Sequence, residues 1–160
     1  MLAGLTTLIG LAAVIALGLS AGAMLAEAKP MVDSWRAMPA ADFLAWFAQN
    51  EPRLVAFFAP LQTTTTLLSL LATGLFAWSR RPGAGLFGAA TALCIAALLT
   101  YALYFRDANT AFATQTIPVE HVAAALAHWA AWQWARTSIG ISAFVCGLLG
   151  LTRRRRSTTE

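Results

Sequence analysis

Charged residues are scarce in this sequence: Asp, Glu, Lys and Arg make up 11% of its 160 residues, against about 25% in a typical soluble protein. Four stretches contain none of them: residues 1–26, 54–79, 82–105 and 137–152. Three of these runs exceed the ~18 apolar residues typical of a transmembrane helix, and the Trp-rich segment before the fourth lengthens it. The sequence therefore predicts one domain, residues 1–160, folded as an all-α, membrane-spanning four-helix bundle. The predicted spans lie at about residues 2–26, 54–78, 84–105 and 130–152.

Cysteine and histidine are also sparse, with two residues of each type. Cys94 and Cys146 fall inside predicted spans without a Cys or His neighbour at ligand spacing, so we expect small apolar residues there. His121 and His128 are two helical turns apart, roughly 10 Å along the axis, which is too far to chelate one metal ion alone. We predict no metal and no cofactor; a haem held by a single axial histidine is the alternative left open.

Basic residues are absent from the first 26 positions, which bears on whether this segment is a secretion signal. The sequence Ala26-Glu27-Ala28 resembles a small-residue cleavage site. A signal peptide, however, has a positively charged start and a shorter apolar core. We therefore expect the segment to be retained as the first membrane-spanning helix.

The positions of the few basic residues predict an orientation in the membrane. Arg80 and Arg81 lie between the second and third spans, and residues 153–156 are all arginine. With four spans, these two regions share one side of the membrane with the N-terminus. The positive-inside rule then predicts a multi-pass protein of the inner (cytoplasmic) membrane with both termini, including a basic tail at 153–160, in the cytoplasm. Arginines placed this way contact anionic lipid, so the bilayer is the predicted partner and nucleic acid is not.

Residues 29–53 form the first predicted external segment, which contains three prolines. Within it, residues 40–50 predict a short amphipathic helix, because one face repeats at positions i, i+3, i+4 and i+7 with Phe43, Trp46, Phe47 and Asn50. Such a helix either anchors the segment in the outer membrane interface, the favoured interpretation, or forms a lid over the mouth of the bundle.

The second span carries an unusual polar stripe. At helical spacing, one face contains Phe58, Gln62, Thr66, Ser69 and Thr73. A polar stripe inside a span normally faces protein. The favoured interpretation is hydrogen bonding between helices, and the alternative is the wall of a pocket.

Histidine, arginine and tryptophan gather at the outer edge of the fourth span. Pro118 predicts the start of a helix that continues through that span, since proline is favoured in a first helical turn. On this helix His121, His128 and Trp132 share a narrow stripe, with Arg136 at its margin. The tryptophans there can also be plain belt residues of the membrane interface, and His121 a plain exposed residue.

Arg136 is placed just inside the outer boundary of the hydrocarbon by the length of the apolar run that follows it. An arginine there either extends outward to the headgroups or points into the bundle, towards Asn109, Glu120 or Gln62. With His128 as a base, Arg136 would form a catalytic pair by stabilising an anion.

Two motifs carry a family resemblance: Arg106-Asp107-Ala108-Asn109 after an aromatic helix end, and the Trp- and Arg-containing residues 129–137 before a Gly/Ala-rich span. With them, the chain resembles the anthrone oxygenase-like family of small four-helix membrane proteins, most of which have no assigned function. The resemblance implies O2-dependent oxidation of polyketide anthrones to anthraquinones, without an evident metal or flavin. It also implies characteristic roles for Asn109, Trp132 and Arg136. Gln133 stands where many relatives have histidine.

The candidate site combines the residues that the resemblance implies with those that the sequence pattern indicates. Asn109 joins His128 and Arg136 as a catalytic candidate, and the expected substrate-binding residues are Trp132, Gln62, Trp129, Tyr104 and His121. Tryptophan rings suit a planar aromatic substrate.

The leading hypothesis is therefore a membrane oxygenase acting, without a cofactor, on a planar apolar molecule in a pocket near the outer face. The alternative is a non-catalytic binding or assembly subunit. A cleft with His128 and Arg136 pointing into it would favour the enzyme. A transporter is disfavoured because four spans contain so few charges, and a homo-oligomer is left open.

Overall fold

The computed structural model describes residues 2–153, so the predicted tail from residue 154 onward lies outside the described part of the chain. All regular elements within these residues are helical. The α-helices are α1 (Leu2–Ala26), α2 (Val32–Ala37), α3 (Ala40–Trp78), α4 (Ala84–Thr100), α5 (Arg106–Ala113) and α6 (Val122–Thr152). A π-helical turn at Glu27–Met31 joins α1 to α2, and another at Tyr101–Phe105 joins α4 to α5.

Four continuous helical segments are long and apolar enough to cross a membrane: Leu2–Ala37, Ala40–Trp78, Ala84–Ala113 and Val119–Thr152. The predicted all-α four-helix bundle is therefore confirmed, and the chain is a multi-pass membrane protein. Each segment is longer than the span predicted for it. The first has 36 residues, or about 54 Å at ~1.5 Å per residue, against ~30 Å of hydrocarbon. Large apolar side chains such as Leu8, Leu67 and Leu103 are exposed on the flanks, where they contact lipid.

The two chain ends lie at the same end of the bundle. Arg81, in the turn between α3 and α4, donates to Thr7 Oγ1 at 2.8 Å and to the carbonyl of Ala3 at 2.7 Å. Gly83 packs directly on the backbone of Gly150, where no Cβ would fit. These contacts hold together the first turn of α1, the α3–α4 turn and the last turns of α6.

The opposite end is closed by an aromatic cap, which we define as Trp35, Phe43, Phe47, Phe112 and Trp129. All five side chains are buried. Ring centroids lie 5.1 Å apart for Phe43 and Phe112 and 5.4 Å apart for Trp35 and Trp129.

The predicted amphipathic segment supplies two of these rings, so its apolar face packs on protein as a lid would. The interfacial-anchor interpretation is wrong for Phe43 and Phe47, which are almost fully buried. Nor is the segment a separate short helix. Residues 40–50 are the first turns of the 39-residue α3, which continues through Pro52 and Pro60, as helices in membrane proteins can.

The polar stripe of α3 divides into two parts with different roles. Ser69 and Thr73 each place a hydroxyl 3.0 Å from that of Thr91 on α4, so this half bonds between helices. Gln62 and Phe58, nearer the aromatic cap, line a cavity. Each of the two sequence interpretations therefore describes one part of the stripe.

Candidate functional site

A charge pair lies inside the bundle beneath the aromatic cap. Arg136 Nη2 is 2.8 Å from Glu27 Oε2, and the two side chains are only 12% and 5% exposed, respectively. Of the two directions that the sequence allowed for Arg136, the structure shows the inward one, and Arg136 shares the cavity wall with Asn109 and Gln62. Its ion-pair partner is Glu27, which the sequence analysis did not name. The residues are 109 positions apart in the chain, so nothing local in the sequence connects them.

Glu27 continues the buried face of α1, three residues after Met24 and ten after Leu17, and it begins a π-helical turn. Pro30 lies in this turn; proline has no N–H, and in a regular α-helix its ring would collide with the carbonyl four residues earlier. The wider turn relieves this conflict, with the N–H of Val32 bonded to the carbonyl of Glu27. The helical path therefore continues from α1 into α2 without a break, and Glu27 is buried within it.

Gln133 fastens the pair to both helices. Its Nε2 donates to Glu27 Oε2 at 2.8 Å and to the carbonyl of Met24 at 3.2 Å, and Thr137 Oγ1 donates to the same carbonyl at 3.3 Å. Gln133 is fully buried, but its Oε1 has no hydrogen-bond partner among residues 2–153. The amide therefore holds the carboxylate and still has a free acceptor.

Arg136 is also supported by an aromatic face. Its guanidinium carbon lies 4.2 Å from the centroid of Phe105, close enough for a cation–π interaction. Phe105 ends the second π-helical turn, and such turns often occur beside functional sites. In the described part of the chain, Arg136 Nε is buried without a hydrogen-bond partner.

The charge pair borders a cavity of about 280 Å³ between α1, α3, α4 and α6, near the lower end of the ~300–1,000 Å³ of small-molecule sites. Its wall is mostly apolar, as is usual for such sites. The polar side chains of the wall are those of Glu27, Glu51, Gln62, Thr63, Tyr101, Asn109 and Arg136.

Two amides in the wall have their oxygens already occupied. Asn109 Oδ1 accepts from Trp129 Nε1 at 2.8 Å, and because an indole N–H can only donate, the acceptor must be the amide oxygen. Gln62 Oε1 accepts from Ser20 Oγ at 3.1 Å. Both side chains therefore retain an NH2 group with which to donate. Together with the Arg136 guanidinium, which also contributes to the lining, the wall is suited to a ligand that carries oxygen acceptors.

The cavity opens sideways through the bundle wall. Val55, Ala59 and Thr63 of α3 and Tyr101 beyond α4 line the cavity and are exposed on the flank. That flank is the surface that contacts lipid. We call the gap between these residues the lateral opening.

The structure separates the predicted site residues into two groups. Arg136, Asn109, Gln62 and Trp129 line the cavity. The second group, His128, Trp132 and Tyr104, forms an outer aromatic cluster: the rings of Tyr104 and Trp132 stack at 5.0 Å, and Trp132 Nε1 donates to His128 Nε2 at 3.1 Å.

His128 is exposed and is not part of the cavity wall. The predicted pairing of His128 with Arg136 in one cleft is therefore not what the structure shows. A separation of eight positions rotates the side chains about 80° beyond two full turns of the helix, enough to place them on different sides. His121 is exposed at the start of the same helix.

Two carboxylates of the wall, Glu27 and Glu51, were missed by the sequence analysis. A usable signal existed for Glu27: it is the first charge after 26 uncharged residues. With Ala26 and Ala28 on either side, however, Glu27 was interpreted only as part of a possible signal-peptide cleavage site. Within residues 2–153, no three His, Cys, Asp or Glu side chains are grouped so that they could hold a metal ion.

Fold and site together define the class: a multi-pass membrane protein whose bundle contains a charge pair at the wall of a laterally open cavity. Comparison of the chain with models of known families, with curated proteins and with solved structures gives no match.

Proposed function

We propose that the protein is a membrane oxygenase that binds a planar, apolar, weakly acidic molecule in the cavity and oxidises it with O2 without a cofactor. The observation that carries the proposal is the Arg136 guanidinium, buried at an apolar wall with its Nε unpartnered among residues 2–153. A buried donor left unpaired costs about 1–3 kcal/mol. An oxygen of the ligand would remove that cost.

The cavity wall supports an aromatic ligand. Phe47, Phe58 and Trp129 contribute rings to it, and flat molecules pack well against rings. The amides of Asn109 and Gln62 supply donors for carbonyl or hydroxyl oxygens. A small oxygenated aromatic molecule satisfies both the apolar and the polar part of the wall.

The reaction converts one acidic methylene group of the ligand and one O2 into one ketone group and one water. The acidic C–H gives its proton to a base, and the remaining anion is stabilised by Arg136 through a fixed positive charge in a water-poor setting. The anion reduces O2, a C–O bond forms, and the resulting hydroperoxide loses water to leave the ketone. This is the chemistry implied by the resemblance to the anthrone oxygenase-like family.

We further propose that both termini lie in the cytoplasm, in the inner membrane. Arg80 and Arg81 lie in the α3–α4 turn, which is fastened to the same end of the bundle as both chain ends. The positive-inside rule assigns that end to the cytoplasm. The cavity then lies near the outer face.

A second candidate is a non-catalytic protein that binds the same kind of ligand. The position of His128 favours it, because the only predicted base lies outside the cavity wall. On this proposal the charge pair recognises a ligand and no bond is made or broken.

The test compares purified wild type with Arg136→Gln and His128→Ala, first without and then with O2, using a hydroxyanthrone. Circular dichroism and size-exclusion profiles establish that each variant is folded. The proposal expects wild type and His128→Ala to consume one O2 per ketone formed, and Arg136→Gln to lose this activity. Binding without turnover would select the second candidate. Absence of binding would overturn both, and a Soret band in the purified protein would indicate haem instead.

A further inference from the structure

We infer that Glu27 is the proton acceptor of the cavity: the ligand arrives neutral from the lipid, gives its proton to Glu27, and takes the place of Glu27 as the counter-ion of Arg136. The inference rests on the proposed function, because it assumes an acidic ligand in this cavity. The step is HA + Glu27⁻·Arg136⁺ → Glu27–H + A⁻·Arg136⁺, in which one proton moves and no charge enters or leaves.

Charge balance favours this exchange over direct binding of an anion. Glu27 and Arg136 already neutralise each other in a site with little water. An added anion would leave a net negative charge there, which burial penalises strongly. A neutral acid whose proton moves to Glu27 leaves the total unchanged. The other titratable groups in the wall are Glu51 and Tyr101, which lie on α3 and beyond α4, respectively.

The geometry of Arg136 allows the exchange. Its Nη2 donates to Glu27, while its Nε, on the same edge of the planar guanidinium, has no hydrogen-bond partner in the described part of the chain. A ligand oxygen bonded to Nε therefore lies next to the Glu27 carboxylate, and in the enol form of an acidic ketone that oxygen carries the proton to be transferred, leaving the same anion that loss of the C–H proton gives. This adjacency is what a short proton transfer requires.

Gln133 offers a hydrogen-bond acceptor to protonated Glu27, which is the product of the transfer. Its Oε1 is buried without a partner among residues 2–153, although its Nε2 already bonds Glu27. A carboxylate has no proton to offer this oxygen, whereas a protonated Glu27 has one. The two unpartnered buried atoms in the site, Arg136 Nε and Gln133 Oε1, are thus both satisfied by one event.

The lateral opening fits a neutral ligand. Val55, Ala59 and Tyr101 are exposed at its rim, on a flank that contacts lipid. A neutral acid partitions into hydrocarbon far more readily than its anion, because burying an unpaired charge is costly. Ionisation inside the cavity lets one molecule be lipid-soluble on entry and reactive once bound.

The experiment records the absorption spectrum of a hydroxyanthrone, whose anion absorbs at longer wavelength, on binding to protein in lipid nanodiscs under argon. The pH is held below that at which the free probe ionises, and an indicator dye in weak buffer counts the protons released. Wild type is expected to show the anion spectrum with about zero protons released per bound probe. Glu120→Gln, which removes an exposed carboxylate outside the cavity, is the matched control and should behave as wild type.

Glu27→Gln is expected to bind the probe either as the neutral form or as the anion with about one proton released. Because this variant leaves Arg136 without its counter-ion and is liable to misfold for that reason, Glu27→Asp is tested beside it and should restore the anion spectrum without proton release. A neutral probe on wild type, a released proton on wild type, or loss of the anion spectrum in Glu51→Gln alone would overturn the inference.

The proposed function is judged separately by admitting O2. An anion spectrum without turnover would refute the oxygenase and leave the proton transfer standing. Turnover by a wild type that binds the probe in its neutral form would refute the proton transfer and leave the oxygenase standing. If no probe binds, both fail.

Discussion

Breaking the buried charge pair should cost more stability than removing it. Glu27→Gln leaves the Arg136 cation without its counter-ion, and an uncompensated buried charge costs about 3–5 kcal/mol. Arg136→Gln should cost less, because a carboxylate can take up a proton and become neutral whereas a guanidinium stays charged. In the double variant both side chains are neutral amides, so no buried charge is left uncompensated.

The expected result is non-additive. The double variant should be more stable than Glu27→Gln alone, with a coupling free energy of about 2–3 kcal/mol between the two positions, as found for contacting groups in a shared network. Thermal or denaturant-induced unfolding in mild detergent, followed by circular dichroism, measures all four proteins. Gln49→Ala, at an exposed position of α3, serves as a neutral control. Single variants within ~0.5 kcal/mol of wild type, or a double variant that sums the single losses, would refute a strongly coupled buried pair.

Three further predictions concern the surroundings of the pair. Ala59→Phe should narrow the lateral opening and slow ligand binding about tenfold while leaving stability unchanged, and stopped-flow binding measures this; an unchanged rate would argue for another route of entry. Trp129→Phe should release Asn109 from its hydrogen bond and lower stability by about 1–3 kcal/mol, measured by unfolding; a neutral effect would show that this bond is dispensable. Gly83→Ala should disturb the contact with Gly150 and lower stability by about 1–3 kcal/mol, and a wild-type melting curve would contradict the tight packing of that turn.

The coarse architecture was predictable because it depends on local composition. Uncharged runs mark the four spans, and the spacing of Phe43 and Phe47 marks one face of a helix, whatever lies against it. What covers that face is a tertiary property. The rings contact Trp35 and Phe112, from other parts of the chain, so periodicity alone could not distinguish an anchor from a lid.

The site was only half predictable for the same reason. Arg136 is conspicuous as a charge beside a span, and an inward direction follows from the cost of exposing it to lipid. Its partner Glu27 continues the buried face of α1, three residues after Met24 and ten after Leu17, but it lies 109 positions from Arg136 in the chain, so nothing local in the sequence pairs the two. The prediction for His128 failed for a different reason. His128 and Arg136 are eight positions apart on α6, so their side chains point in directions about 80° apart around the helix.

For the ligand proposed above, the lateral opening changes which concentration determines occupancy of the cavity. A cavity that exchanges with lipid responds to the mole fraction of ligand in the bilayer, and the amount dissolved in water matters only through partition. Adding empty vesicles at constant total ligand would dilute the ligand in the membrane and lower occupancy, with no inhibitor present. Adding water at constant lipid would change occupancy little for a strongly partitioning ligand. Val55, Ala59 and Tyr101, at the rim of the opening, thus make the surrounding bilayer the solvent in which affinity is defined.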